Sequence, residues 1–459
     1  MKPKEIIVFA ALTLLAMVPN LLVVCLAGDV ATAGQRLVYL LATLALYGCA
    51  MFLVHRRAYL YIISLGFPFS FFELIHLFTR GTTTTVLSVY TWIKTAPEEL
   101  EAIYRPYGWL VAAGIAVWIG YYVLAHYFVE REYLVRLRWR VPLFAGLACL
   151  ALLLPVYVCP TSVLHRYQQL ARMALRIERK QAVRQQFSYG VTPNGSKAEE
   201  TMIVVIGETS FDDWQSLGMR DTLLTVFEQA YTLCPSRGIG VPMTLTRAGA
   251  EQTAPFYDEP SVIRAFHEAG YYCAWLSNYG YHDHLLMRMA DECRYMSYQP
   301  DQPDTALLVP YREAMAQPAQ RHLCVLVTQG GHDSASLRQT PTLLRQLTDS
   351  LRTVHQPAML VYIGHPTIRL TDGRQEMHGV VALWANANYR YRQRAMLRVL
   401  ATQKKQPVSM ETLFHSLLFW SGIDCALRDN SLCLGHTQYE AADTLRYLDE
   451  NLHVQDLIP

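Results

Sequence analysis

Glu208, His332, His365 and His378 lie far apart in the chain, yet each borders an apolar run. "MIVVIGETS" leads into Glu208, "CVLVTQGGHDSAS" into His332 and "MLVYIGHPTI" into His365, while His378 precedes "VVALWAN". One carboxylate and three imidazoles make an oxygen and nitrogen donor set suited to zinc. Each also has a plainer reading. Glu208 could cap the helix that begins near Phe211, where Asp212 and Asp213 fit as first-turn acids. His282 and His284 in "YGYHDH" fit a solvated turn.

Such residues act together only if the fold gathers them. From residue 201 onward, apolar strand candidates alternate with helical segments: "TMIVVIG", "PSVIRAFHEAG", "YYCAWLSN", "HLCVLVTQ", "TLLRQLTDSLRTV", "AMLVYIG", "VVALWAN" and "METLFHSLLFWSG". That alternation predicts an α/β sandwich around a mostly parallel sheet. Ligands and chemistry then collect at the carboxyl ends of the strands, where Glu208, His332 and His365 are expected.

The first third has a different character. Five runs, near 5–27, 36–54, 58–79, 108–129 and 141–158, are long and apolar enough to cross a bilayer, which takes about 20 residues. Lys2 and Lys4 precede the first run, Arg56 and Arg57 follow the second, and Arg131, Arg136, Arg138 and Arg140 follow the fourth. Cationic flanks stay preferentially in the cytoplasm, so these positions put the N-terminus inside and residues 160–459 outside. The expected division is a membrane domain over 1–158, an amphipathic juxtamembrane linker over 159–200 and an external domain over 201–459. In the linker, Leu164, Tyr167, Leu170, Met173, Leu175 and Ile177 recur at helical spacing among cations that suit lipid phosphates.

The net charge of +2 on 459 residues marks no particular partner, and no nucleic acid is expected. Of ten cysteines, Cys234, Cys273, Cys293, Cys324, Cys425 and Cys433 fall in the external part, where an oxidising compartment permits disulfides. Spacing cannot fix their connectivity; Cys425 with Cys433, flanking "CALRDNSLC", is the favoured pair.

In order, these segments resemble the membrane-bound phosphoethanolamine transferases of the sulfatase and alkaline phosphatase superfamily. "VVIGETSFDDWQSLGMRDT" is similar to that family's opening strand and G-E-T/S motif, and "VPMTLTRAG" to the stretch after its nucleophile. "GGHDSAS" resembles its G-S-H segment, "METLFHSLLFWSGI" its C-terminal helix, and "FELIHLFTRGTTTTVLSVYTWIKTAPEE" its third span and periplasmic loop. The resemblance implies an integral protein of the bacterial inner membrane with a periplasmic catalytic domain. It further implies a zinc-activated threonine that takes phosphoethanolamine from phosphatidylethanolamine and passes it to a glycolipid such as lipid A.

Glu208 and His332 match ligand positions of that pattern, but two other positions depart from it. The nucleophilic threonine aligns with Pro235, which has no hydroxyl; Ser236 is next to it, and Arg237 with the nearby glycines suits an anion-binding turn. The S-D-H-G segment has become "IGHPTI", with His365 at the Asp position and Pro366 at the His position, while His378 could match a later histidine. Thr244 and Thr246 fit packing positions. Three readings remain open: a transferase using Ser236 with Glu208, His332, His365 and His378 around zinc; a catalytically inactive homologue that binds a phospholipid or a membrane partner as a regulator; and a membrane-tethered hydrolase of phosphate or sulfate esters, which needs the same metal set.

Overall fold

The computed structural model of the chain describes residues 3–26, 55–64, 67–80, 84–94, 105–130, 132, 142, 163–191, 200–219, 221, 223–279, 283–300, 302–331, 334–366 and 377–457. They divide into two compact units, Met1–Ala174 and Leu175–Pro459. The break falls inside the segment expected as a linker, within the helix Val163–Arg179.

In the first unit the expected spans at 5–27 and 108–129 correspond to the helices Pro3–Leu26 and Gly108–Phe128. The expected span at 58–79 falls on two helices, Arg56–Ser64 and Phe67–Arg80, and those at 36–54 and, apart from residue 142, at 141–158 lie outside the described residues. Among the described helices, the continuous stretch Arg105–Phe128 is long and apolar enough to cross a membrane. Leu12, Ala16, Tyr59, Leu60, Ile63, Tyr121 and Ala125 pack the interior between these helices. A buried ion pair joins two of them, Arg56 Nη1 donating to Glu5 Oε1 at 3.2 Å, and the Glu130 backbone N–H donates to the same oxygen at 3.1 Å. A charge pair out of water needs such extra donors to offset its desolvation.

The second unit is built on an eight-stranded sheet. Its strands are β1 (Glu200–Gly207), β2 (Leu224–Tyr231), β3 (Tyr272–Ser277), β4 (Tyr295–Tyr298), β5 (Arg321–Val327), β6 (Ala358–Gly364), β7 (His378–Ala385) and β8 (Val408–Ser409), in the order β4-β3-β5-β1-β6-β7-β2-β8. Neighbours pair in parallel except at β7, which is antiparallel to both β6 and β2. A two-stranded antiparallel pair, β9 (Leu445–Leu448) and β10 (Val454–Leu457), lies outside this sheet.

Why β1 is apolar without alternation is now plain. Met202, Val204 and Ile206 belong to one core, and Ile203 and Val205 to the core on the other face. β5 and β6 divide in the same way, with Leu323, Val325, Met359 and Val361 on the first face and Cys324, Leu326, Leu360 and Tyr362 on the second. A strand covered on both faces buries every side chain, so a period of two gives way to a continuous run.

The helix Val262–Glu268 carries the segment that precedes the sheet. Glu268 accepts hydrogen bonds from Ser188 Oγ (3.1 Å), Tyr189 N (3.1 Å) and Val191 N (3.4 Å), while Arg264 Nη2 donates to the Gln185 carbonyl at 2.7 Å. Tyr189 is buried, and its hydroxyl donates to the Pro260 carbonyl at 2.6 Å. Residues 185–191 are thus part of the second unit's fold.

The favoured disulfide is not formed. Cys425 and Cys433 are free thiols, and Cys433 Sγ instead donates to the Asp429 carbonyl at 3.1 Å. The short helix Asn430–Leu432 fills the loop between the two cysteines, and Asp429 at its start accepts from Ser431 N at 2.9 Å. All six cysteines expected outside the membrane are free, and five of them are buried.

Candidate functional site

The carboxyl ends of β1, β5 and β6 lie side by side, because Ile206 is in register with Val327 and Gly207 with Gly364. Antiparallel β7 starts at this same edge, with His378 opposite Tyr231 at the end of β2. Glu208 and His365 are therefore brought to one edge, and His378 joins them because β7 runs antiparallel. His332 lies outside the described residues, although the loop leading to it is at this edge.

Glycines allow the crowding there. A Cβ on Gly207 would run into the Tyr362 hydroxyl, and one on Gly364 would lie 2.6 Å from the Thr209 carbonyl oxygen. Gly330, with φ +57, would place a Cβ 2.5 Å from the backbone nitrogen of Glu208. The "IG" that ends both β1 and β6 and the "GG" after β5 thus serve one purpose, letting three chain segments meet.

Glu208 does not cap the following helix. Ser210 is the N-cap of Phe211–Ser216, its hydroxyl accepting from Asp213 N at 3.1 Å, and Asp212 and Asp213 occupy the first turn. Thr209 is buried and shares a 2.6 Å hydrogen bond with the Tyr362 hydroxyl. The Glu208 side chain instead faces Arg237, with Nη1 at 3.9 Å from Oε2.

Arg237 is the first residue of the helix Arg237–Thr244 and is only 1% exposed. Its Nη2 donates to the Ile206 carbonyl at 2.7 Å, and the Tyr279 ring covers the guanidinium at 4.2 Å. Nε and Nη1 have no hydrogen-bond partner among the described residues. Close by is Asp304, which is buried and accepts from Asn278 Nδ2 (2.9 Å), Gln329 N (3.0 Å) and Gly330 N (3.1 Å). Burial raises the Asp304 pKa, with those hydrogen bonds and the Arg237 charge opposing it.

Ser236 is the N-cap residue of that helix, half-buried, and its hydroxyl makes no capping bond. Pro235 before it is buried. Thr244 and Thr246 are buried packing residues, as expected.

His365 is fully buried. Burial, with the Arg237 charge adding to it, pulls its pKa down to about 3, so the ring is neutral at physiological pH. Nδ1 faces the Pro366 carbonyl at 3.0 Å; a carbonyl only accepts, so Nδ1 carries the proton and Nε2 is left to accept from the Thr232 hydroxyl. The helix Arg237–Thr244 comes this close to the ring because position 240 is glycine. His378 is elsewhere engaged, stacked on Phe211 at 4.6 Å and on Tyr231 at 5.0 Å between ring centroids, with Nε2 donating to the Glu228 carbonyl at 2.8 Å.

Among the described residues, Glu208, His365 and His378 do not fit zinc as they stand. Both nitrogens of His365 and Nε2 of His378 are committed to protein partners, and Glu208 already faces a cation. An ion with two positive charges about 5 Å from the guanidinium would meet a repulsion of about 7 kcal/mol at an effective dielectric of about 20. Among the described residues, no three His, Cys, Asp or Glu side chains form a metal-binding group. Sequence reasoning missed Thr232, Tyr279, Asn278 and Asp304. None of them stands in a recognisable motif, and Asp304 lies in the polar loop "QPDQPDT", whose contact with the β5 loop no local pattern announces.

The mostly parallel sheet, covered on both faces and carrying its polar cluster at the carboxyl edge, defines an α/β domain. The fold is similar to that of solved phosphoethanolamine transferases. The integral membrane protein lipooligosaccharide phosphoethanolamine transferase A (EptA) from Neisseria meningitidis matches with a TM-score of 0.57 at 13% identity, over 87% of this chain and 96% of that one. The C-terminal periplasmic domain of EcEptC from Escherichia coli matches with a TM-score of 0.51 at 16% identity, over 58% of this chain and 95% of that one, and has also been solved in complex with Zn. No protein-family model and no curated protein sequence matches the chain. The expected fold, a helical part followed by an α/β sandwich, thus stands.

Proposed function

We propose that this is a phosphoethanolamine-transferase-like protein of a bacterial inner membrane whose periplasmic domain binds the headgroup of a phospholipid or glycolipid without transferring it. The observation that carries this reading is Pro235. The position that the family resemblance gives to the nucleophile has no hydroxyl and is buried in the turn between β2 and the helix Arg237–Thr244. A phosphoryl group cannot be carried covalently where no nucleophile stands. The likeness to EptA over 87% of the chain supports a membrane-anchored protein acting on lipid.

Ser236 favours a second reading, a transferase with a displaced nucleophile, since its half-buried hydroxyl makes no capping bond. One experiment separates the two. Purified full-length protein is incubated with vesicles containing phosphatidylethanolamine and lipid A, with and without zinc, and both vesicle binding and phosphoethanolamine transfer are followed. Headgroup-dependent binding without transfer is expected. Zinc-dependent transfer that Ser236→Ala abolishes would establish the second reading, and absence of both binding and transfer would overturn both.

A further inference from the structure

Glu208 occupies a position at which the resemblance implies a metal ligand, and its side chain faces a protein cation. Arg237 approaches Glu208 Oε2 to 3.9 Å, is anchored to the end of β1 through the Ile206 carbonyl and is covered by Tyr279. The acid Asp304 lies near the same guanidinium and is itself held at the loops after β3 and β5 by Asn278, Gln329 and Gly330. A single positive group, 1% exposed, thus connects the ends of three neighbouring strands.

We propose that the Arg237 guanidinium is the resident cation of this strand edge and replaces a divalent metal, so that the fold is complete without zinc. A guanidinium is always charged, is less strongly hydrated than an ammonium and is planar enough to stack on Tyr279, so it tolerates burial that would disfavour a lysine. Removing the buried guanidinium while Glu208 keeps its charge should cost more than removing both groups together. The inference concerns charge at the edge and does not depend on headgroup binding; its readouts are metal content and unfolding, so either proposal can fail alone.

The test uses the full chain in detergent. The wild type, exposed to zinc and desalted, is expected to retain no stoichiometric zinc by atomic emission, and its unfolding midpoint should be the same in zinc and in EDTA. Arg237→Met should lower the midpoint by roughly 5–15 °C, and adding Glu208→Gln should recover part of that loss. If Arg237→Met does not fold, Glu208→Gln alone carries the test, because a buried guanidinium that has lost Glu208 and keeps Asp304 nearby should lower the midpoint. One zinc per chain whose removal by EDTA lowers the wild-type midpoint would overturn the proposal. So would a double variant no more stable than Arg237→Met, or a Glu208→Gln midpoint at or above that of the wild type.

Discussion

Gly240 shows how a single residue sets the site. A Cβ there would strike His365 Nε2 and lie 2.9 Å from the Cys234 carbonyl oxygen, a backbone atom that cannot swing away. Gly240→Ala should therefore destabilise the second unit by about 1–3 kcal/mol in a urea titration, the usual cost of overpacking. His415 makes a second, pH-dependent prediction. Burial lowers its pKa to about 4, with Arg247 and Arg428 adding to the effect and Asp429 opposing it, and Nδ1 accepts from Asp429 N at 2.9 Å. Between about pH 6.5 and pH 4 the unfolded chain takes up a proton that folded His415 refuses, so stability falls with pH at up to about 1.4 kcal/mol per pH unit. In His415→Gln, whose amide oxygen can still accept from Asp429, the loss between pH 7 and pH 5 should be smaller. Glu208 and His365 were legible in the sequence because each follows an apolar strand, whereas the role of Arg237 was not. A cation near glycines suggests an anion site, and only the folded chain turns this one inward onto Glu208.

At the scale of elements, most of the sheet and its flanking helices were readable, since full burial writes itself as unbroken apolar runs. β2 was not read as a strand, because "LTVFEQAY" buries only Phe227 and Ala230 and shows no clean period. The reversed direction of β7 was hidden as well. An apolar run has no sign, and the partner strands alone decide which way it points. The segment 185–191 was expected as linker, and its docking rests on long-range bonds to Glu268. Glu268→Ala should cost about 1–3 kcal/mol of local protection and speed amide hydrogen exchange at residues 189 and 191, leaving the β1 amides unchanged.

For the whole molecule, the proposed reading places the second of the two compact units outside the membrane. On that reading the chain should stay with the membrane pellet through alkaline carbonate extraction, and protease added to spheroplasts should cleave it between the units. Full protection of residues 200–457 in intact spheroplasts would contradict the outside location. Cys234, Cys273, Cys324, Cys425 and Cys433 are buried free thiols, and burial keeps a thiol inert whatever its compartment.

By itself the sequence determined the layer architecture and the edge where polar residues collect, since both follow from local apolar periodicity and from what ends each strand. The tertiary structure alone decided what those polar residues face: Arg237 beside Glu208, Thr232 on His365, and two aromatic rings on His378. Burial pattern is a property of neighbouring residues along the chain. Charge compensation is a property of neighbours in space, so the arginine beside Glu208 became visible only when the strand ends met.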